Sequence, residues 1–182
     1  MISWPETQLV LTEDELVLRP TVPSDAPVMF HYISGDEDIA EFTTVPSPYE
    51  MSHAAGAIER WAEGFDNQEL MQWAITINDG PIIGQISLQG VILFDHNAEI
   101  GYLLSRQARG SGIMARAVEL VSDYAFAIGF RRLQAKVMIE NIASAKTLLR
   151  AGYEQEAILK NYMTKRNGEQ TDALLFAKFS DF

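Results

Sequence analysis

Residues 102–117 read YLLSRQARGSGIMARA and combine three kinds of sequence pattern. A strand pattern runs to Leu104, a polar loop contains Gly110 and Gly112, and a helical pattern without proline follows. The first N–H groups of a helix have no partner within it and lie at the positive end of its dipole, and glycines let an anion approach them. The segment therefore predicts an anion-binding turn, with Arg109 adding a cation. A plain βα turn whose glycines only relieve strain is the alternative.

The patterns outward from this segment predict an α+β fold. In chain order they indicate a strand at 15–20, a helix capped at 24–25 and running to 35, a second helix at 52–64, strands at 70–77, 82–90 and 98–104, the long helix 112–128, a strand at 133–138, a short helix 143–151 and a last hairpin around 166–169. Three aromatic residues have core-like spacing, and we interpret them as packing residues: Trp61, Trp73 and Tyr102. A length of 182 residues is typical of one domain.

Composition excludes several classes of function. The chain has no cysteine, which rules out thiolate nucleophiles and cysteine-based metal sites and suits a reducing cytoplasm. Its formal net charge of −11 argues against nucleic acid or an anionic membrane as a partner and favours a cationic one. We expect no signal peptide at its start and no membrane span, since the apolar runs are too short.

Other nucleotide and catalytic motifs match less well. Residues 110–115 fit a loose Gly-x-Gly-x-x-Ala dinucleotide pattern, but a polar stretch separates strand from glycine and no acidic residue lies near Arg132, about twenty positions on. The sequence has neither a Gly-Lys-Ser/Thr P-loop nor a Gly-x-Ser-x-Gly nucleophile elbow. The histidines lack ligand spacing, so we expect no metal site: His31, His53 and His96.

Two blocks of sequence resemble a known family. The stretch QARGSG at 107–112 resembles the Gln/Arg-x-x-Gly-x-Gly/Ala acyl-CoA signature of the GNAT acyltransferase superfamily. The preceding AEIGYLLS at 98–105 is similar to the strand of its ribosomal-protein N-acetyltransferase (Rim-type) branch. Downstream, NIAS at 141–144 and LLRAGY at 148–153 are similar to a second block of that branch. By element order the resemblance covers about residues 16–179.

The resemblance implies a single GNAT-like α+β domain over residues 1–182, with a mixed, mostly antiparallel central sheet flanked by helices. It implies acetyl-CoA as co-substrate, its diphosphate on the N–H groups of residues 109–114 and its pantetheine arm alongside strand 102–104 like an additional strand. A free N–H near Leu103 or Leu104 would serve the thioester oxygen. The implied cofactor-binding residues are Leu103, Leu104, Gln107, Arg109, Gly110, Ser111, Gly112, Ile113, Met114 and Asn141.

Two side chains are candidates for acid–base catalysis. Ser144 would protonate the departing thiolate, or its hydroxyl would cap the following helix. Glu99, at the start of the cofactor strand, would be the base, or an edge carboxylate in solvent. The resemblance implies a basic glutamate in the last hairpin, but Met163 stands there, so the base is unassigned. Asn141 would bond the pantetheine amides, or cap the same helix.

These inferences predict an N-acetyltransferase that works by direct attack in a ternary complex. A protein N-terminal α-amine is the favoured acceptor, because its pKa near 7.7–8 demands a weaker base than a lysine near 10.4. An aminoglycoside or polyamine acceptor stays open, since acidity suits every cation, and a catalytically idle acyl-CoA-binding module is the rival of another class. A homodimer also stays open. The helices within 24–65 and the loop 43–50 would form one wall of the acceptor cleft.

Overall fold

Eight strands within residues 1–180, the part of the chain that this computed structural model describes, form one sheet in the order β1-β2-β3-β4-β5-β6-β8-β7. The strands are β1 (Leu11–Glu13), β2 (Leu16–Pro20), β3 (Met71–Ile77), β4 (Gly84–Ile92), β5 (Asn97–Leu104), β6 (Arg132–Met138), β7 (Glu154–Thr164) and β8 (Gln170–Phe179). The helices are α1 (Ala26–Ile33), α2 (Glu37–Phe42), α3 (Met51–Asp66), α4 (Ile113–Ala127) and α5 (Ile142–Arg150). Short 3₁₀ turns occupy Pro23–Asp25 and Arg106–Ala108.

All neighbouring strands in this described sheet are antiparallel except β5 and β6, which run parallel. A parallel pair needs a crossover connection, and α4 provides it. The predicted α+β fold, with a mixed and mostly antiparallel sheet and the glycine loop between a central strand and the long helix, is therefore confirmed.

The contact between β5 and β6 is short. Residues 97–99 lie opposite residues 132–134, and no further pair joins these two strands among the residues described. Beyond that point β5 continues along β4 to Leu104, and β6 continues along β8 to Met138. The two central strands diverge, and we call the opening between residues 100–104 and 135–138 the central cleft.

The helices cover both faces of the sheet. On one face α4 and α5 enclose the larger core, which includes the fully buried Trp73 and Leu148. On the other face α1, α2 and α3 enclose a second core around Met29. Leu104 belongs to the first core and Leu103 packs against the second, as the alternation of side chains along a strand requires. The interpretation of Trp73 as a packing residue is confirmed.

Two elements were not predicted from the sequence. Strand β1 has only three residues, and α2 has six, with one buried apolar side chain, Ile39. Both are too short to carry a periodic pattern. Asp36 is the N-cap of α2, and its carboxylate accepts hydrogen bonds from the N–H groups of Asp38 and Ile39 at 3.1 and 3.2 Å. Among residues 1–180, no helix combines the length and the apolar character needed to cross a membrane.

Candidate active site

The loop between β5 and α4 contains two glycines in the left-handed region. Gly110 has φ +79° and Gly112, the N-cap of α4, has φ +83°. A Cβ atom at either position would meet no atom within 4 Å in the described chain. These positions therefore border open space, although the left-handed backbone still disfavours a side chain there.

The main-chain N–H groups that follow have no acceptor. From Gly110 to Ala115 none donates a hydrogen bond to another group within residues 1–180, and the first bond of this helix is from Arg116 N–H to the Gly112 carbonyl at 3.3 Å. The positive end of the α4 dipole reinforces these donors. The loop thus offers several unpaired donors and open space, a combination that fits a diphosphate group.

The Arg109 side chain does not point to this anion site. Its Nη2 donates to Asp36 at 2.8 Å, its Nη1 to Asp38 at 2.7 Å and its Nε to the Leu104 carbonyl at 3.0 Å. The expectation that Arg109 adds a cation to the diphosphate is thereby corrected, because two carboxylates already neutralise the guanidinium. No local pattern indicates this contact, since Asp36 and Asp38 lie more than 70 positions away.

Strand β5 presents free main-chain groups to the central cleft. Ser105 N–H donates to the Ile83 carbonyl at 2.8 Å, so Leu103, two positions earlier, also directs its N–H toward β4. The N–H groups of Tyr102 and Leu104 then point to the opposite edge, where β6 has diverged. Of the two residues considered from sequence, Leu104 rather than Leu103 carries the N–H that faces the cleft.

Tyr102 and Ser144 meet across the cleft. Their hydroxyl oxygens lie 2.9 Å apart, and the Tyr102 hydroxyl is 3.2 Å from the Ser144 carbonyl oxygen. Burial raises the pKa of Tyr102 to about 12, although the Ser144 hydrogen bond opposes that rise. Tyr102 was interpreted as a packing residue only, so sequence analysis missed this contact. Its position in the strand beside the glycine loop was the signal that could have indicated it.

Asn141, and not Ser144, caps α5. The Asn141 Oδ1 accepts the Ser144 N–H at 3.1 Å. The Ser144 hydroxyl is consequently free of the capping role that its position suggested, and it faces Tyr102. The Asn141 side-chain amide nitrogen keeps its donors, so capping and the predicted pantetheine contact are compatible.

Glu99 lies where β5 and β6 separate, on the face opposite α4. Its carboxylate is 2.7 Å from Lys136 Nζ, and Lys136 also donates to the Tyr162 hydroxyl at 3.2 Å. The hydrogen bond to Glu99 raises the pKa of Lys136, because it outweighs the opposite effect of partial burial. Glu99 is therefore held in an ion pair rather than standing as an isolated edge carboxylate.

The other residues singled out from the sequence differ in exposure. Gln107 is exposed, and the exposed Ser111 donates its hydroxyl to the Ala108 carbonyl at 2.7 Å. Ile113 is half-buried and Met114 is buried in the larger core, so these two offer main-chain N–H groups rather than side chains. Met163 pairs with Thr171 across the last hairpin and is half-buried.

Two of the three histidines make local contacts. His53 Nδ1 accepts the Glu50 N–H at 3.0 Å, and His96 Nδ1 lies 3.0 Å from the Gly129 carbonyl oxygen. Over residues 1–180 the structure brings together no group of three or more His, Asp or Glu side chains that could hold a metal ion.

Distant segments also meet beside helix α2. Helix α2 and the loop after it face the tip of the last hairpin, where Arg166 donates to the carbonyl oxygens of Ala40 and Val45. Tyr49, at the end of that loop, and Leu103 both pack against the second core. These segments lie on the face of β5 that also carries Glu99.

Comparison with known proteins agrees with this geometry. Residues 15–154 match the family model of the acetyltransferase (GNAT) domain. The probable N-acetyltransferase YjcK of Bacillus subtilis is 32% identical over 168 residues, which cover 89% of this chain and 92% of that protein. Among solved structures, RimL, a ribosomal L7/L12 α-N-protein acetyltransferase in complex with coenzyme A, is similar with a TM-score of 0.88, 19% identity and coverage of 95% and 99%. The microcin C7 self-immunity acetyltransferase MccE, in complex with acetyl-CoA and AMP, has a TM-score of 0.85, 22% identity and coverage of 92% and 94%.

Proposed function

We infer that this chain, which belongs to the GNAT acetyltransferase family and is an N-acetyltransferase that uses acetyl-CoA, acetylates a protein N-terminal α-amine. Residues 1–182 are proposed to act as one domain. The observation that carries this choice of acceptor is the ion pair of Glu99 with Lys136 at 2.7 Å. That carboxylate is already engaged by an ammonium group, and an α-amine needs less help from a base than a lysine does to become neutral. The similarity to RimL, whose acceptor is a protein α-amine, supports the same choice.

The donor site is proposed at the glycine loop and the free edge of β5. The N–H groups from Gly110 to Met114 would hold the diphosphate, and the Gln107 and Ser111 side chains would lie at the rim of this site. Arg109 would hold the backbone that leads into Gly110, through its side-chain contact with the Leu104 carbonyl. The N–H groups of Tyr102 and Leu104, with the Asn141 amide, would bind the pantetheine arm, while Leu103 would flank it. Acetyl-CoA supplies the acetyl thioester that the reaction consumes.

The chemistry then needs an attack and a proton transfer. The neutral amine attacks the thioester carbon, a C–N bond forms, the C–S bond breaks, and the thiolate takes a proton. Ser144 is proposed as the proton donor, and the Tyr102 hydroxyl 2.9 Å away can return a proton to it. With a pKa of about 12, the Tyr102 hydroxyl keeps its proton at neutral pH and so has one to give to Ser144.

Glu99 is proposed to accept the proton that the amine releases, through an intervening water. The carboxylate lies on the same face of β5 as Leu103, which packs against the second core together with α2. A strongly basic side chain is unnecessary here, because a substantial fraction of an α-amine is already neutral near pH 7. We place this reaction in the cytoplasm, which suits a chain without cysteine.

A thiol-release assay tests the proposal. Acetyl-CoA would be incubated with the protein and, in separate reactions, with peptides that carry a free or a blocked α-amine, with a polyamine and with an aminoglycoside. We expect thiol release with the free-amine peptide only, and acetylation of its first residue by mass spectrometry. Release with the polyamine or aminoglycoside alone would refute the α-amine acceptor. Binding of coenzyme A without release for any acceptor would favour the idle module.

A further inference from the structure

Arg109 joins the glycine loop to the start of α2. It stands directly before Gly110, and its guanidinium contacts Asp36, Asp38 and the Leu104 carbonyl at 2.7 to 3.0 Å. A second cation, Arg106, approaches Asp36 at 3.6 Å from the same loop. One side chain thereby fixes the end of the donor strand, the start of the glycine loop and the start of α2.

Helix α2 depends on this contact. A helix of six residues is not stable in isolation, because nucleation is costly and few hydrogen bonds repay it. Asp36 caps α2 and is only 6% exposed, so its charge requires a partner. Burial disfavours its ionisation, but the Ile39 N–H and the guanidinium groups of Arg109 and Arg106 outweigh that effect and lower the pKa of Asp36.

Helix α2 also belongs to the acceptor side. Ile39 packs in the second core together with Leu103, and the Ala40 carbonyl accepts from Arg166 of the last hairpin. A change in the position of α2 would alter the wall that the acceptor meets. The same helix therefore contacts both the loop assigned to the donor and the segments assigned to the acceptor.

We propose that Arg109 is a positioning residue that couples the donor and acceptor sites. This inference rests on the proposed function of the glycine loop. When a diphosphate fixes the backbone of residues 110–114, Arg109 is fixed with it, and its two carboxylate partners hold α2 in its helical form. Coupling of this kind is reciprocal, so the donor tightens acceptor binding by the same factor by which the acceptor tightens donor binding.

Hydrogen exchange with coenzyme A as the probe tests this coupling without any acceptor. The reporters are the α2 amides, including Ala40 N–H, bonded to the Asp36 carbonyl at 3.0 Å, and Thr43 N–H, bonded to the Ile39 carbonyl at 3.2 Å. In the unaltered chain we expect coenzyme A to slow their exchange by at least about fivefold, the lower end of typical coupling factors. Exchange in the first turns of α4 reports binding itself.

The decisive variant is Asp36→Asn combined with Asp38→Asn. Asparagine caps a helix as well as aspartate does, so α2 keeps its cap while the ion pairs with Arg109 are lost. We expect coenzyme A still to protect α4 but no longer to protect α2, and the KM for the acceptor to rise while kcat at saturation changes little. Arg116→Gln is the matched control, because Arg116 is also 31% exposed and ion-paired, with Glu13 and Glu15. It should behave like the unaltered chain.

Two results would overturn the coupling: equal protection of α2 in the double variant, or protection of α4 without any effect on α2 in the unaltered chain. Failure of coenzyme A to protect α4 in the unaltered chain is a different outcome. It would refute the donor site itself, and this inference with it.

Discussion

Replacing Gly110 by valine separates the effect of an occupied anion site from the effect of backbone strain. Because a Cβ at this position meets nothing within 4 Å, the protein itself can accommodate the side chain. The φ of +79° remains unfavourable for a β-branched residue, at about 1–2 kcal/mol. For a domain of this size that cost corresponds to a fall in Tm of roughly 2–8 °C.

The expected loss of binding is larger than this strain. The new methyl groups would occupy the space beside the donors from Gly110 to Ala115, and a hydrogen bond to a charged group contributes about 1.5–3 kcal/mol. Losing two such bonds weakens coenzyme A binding by about 3–6 kcal/mol, which is more than a hundredfold in Kd.

Titration calorimetry with coenzyme A, together with thermal unfolding, measures both effects. Gly168→Val is the matched control, since Gly168 has φ +87°, also borders open space and lies in the turn of the last hairpin. Both variants should lose similar stability, and only Gly110→Val should lose coenzyme A binding. An unchanged Kd for Gly110→Val would refute the assignment of the diphosphate to this loop.

Three further predictions concern the chemistry. Ser144→Ala should lower kcat by about 10²-fold or more, measured by stopped reactions, with little change in the Kd of acetyl-CoA, measured by calorimetry. A loss of stability that fully accounts for the lower kcat would contradict the role of Ser144 as proton donor. The kcat/KM for an α-amine peptide should rise with pH to a plateau near 8 and stay level to about pH 10, because the Tyr102 pKa of about 12 keeps its proton available; a decline before pH 10 would argue against Tyr102. Glu99→Gln should reduce kcat/KM at least tenfold, which is about 1.4 kcal/mol of activation free energy. Full activity with an unaltered pH profile would show that Glu99 only forms the ion pair with Lys136 and takes no part in proton transfer.

The elements that carry a local pattern could be predicted from sequence. Strand β5, the glycine turn and α4 lie within one continuous stretch, and their alternation, left-handed glycines and helical periodicity are properties of neighbouring residues. The strand boundaries shift by a few positions; β4, for example, begins at Gly84 and not at Ile82. Such shifts reflect pairing with other strands rather than local preference.

The contacts that organise the candidate site join residues distant in sequence. Tyr102 meets Ser144 across 42 positions, and Arg109 meets Asp36 across 73. No periodicity reports such pairs, because they follow from the order of strands and from the place where β5 and β6 part. The resemblance located the donor loop, whereas the direction of the Arg109 side chain and the α2 helix required the structure.

The three-residue junction between β5 and β6 also divides the chain into two segments with different folding requirements. Strands β1 to β5 are neighbours in both sequence order and space, so their pairing needs no crossover. Strand β6 joins β5 as a parallel pair, which needs the 15-residue α4 as its crossover, and parallel pairing is intrinsically slow. We therefore expect docking of the segment that carries β6, β7 and β8 to be the late step. Since the cleft exists only after that step, coenzyme A binds the completed molecule alone and raises the yield of folded protein by mass action.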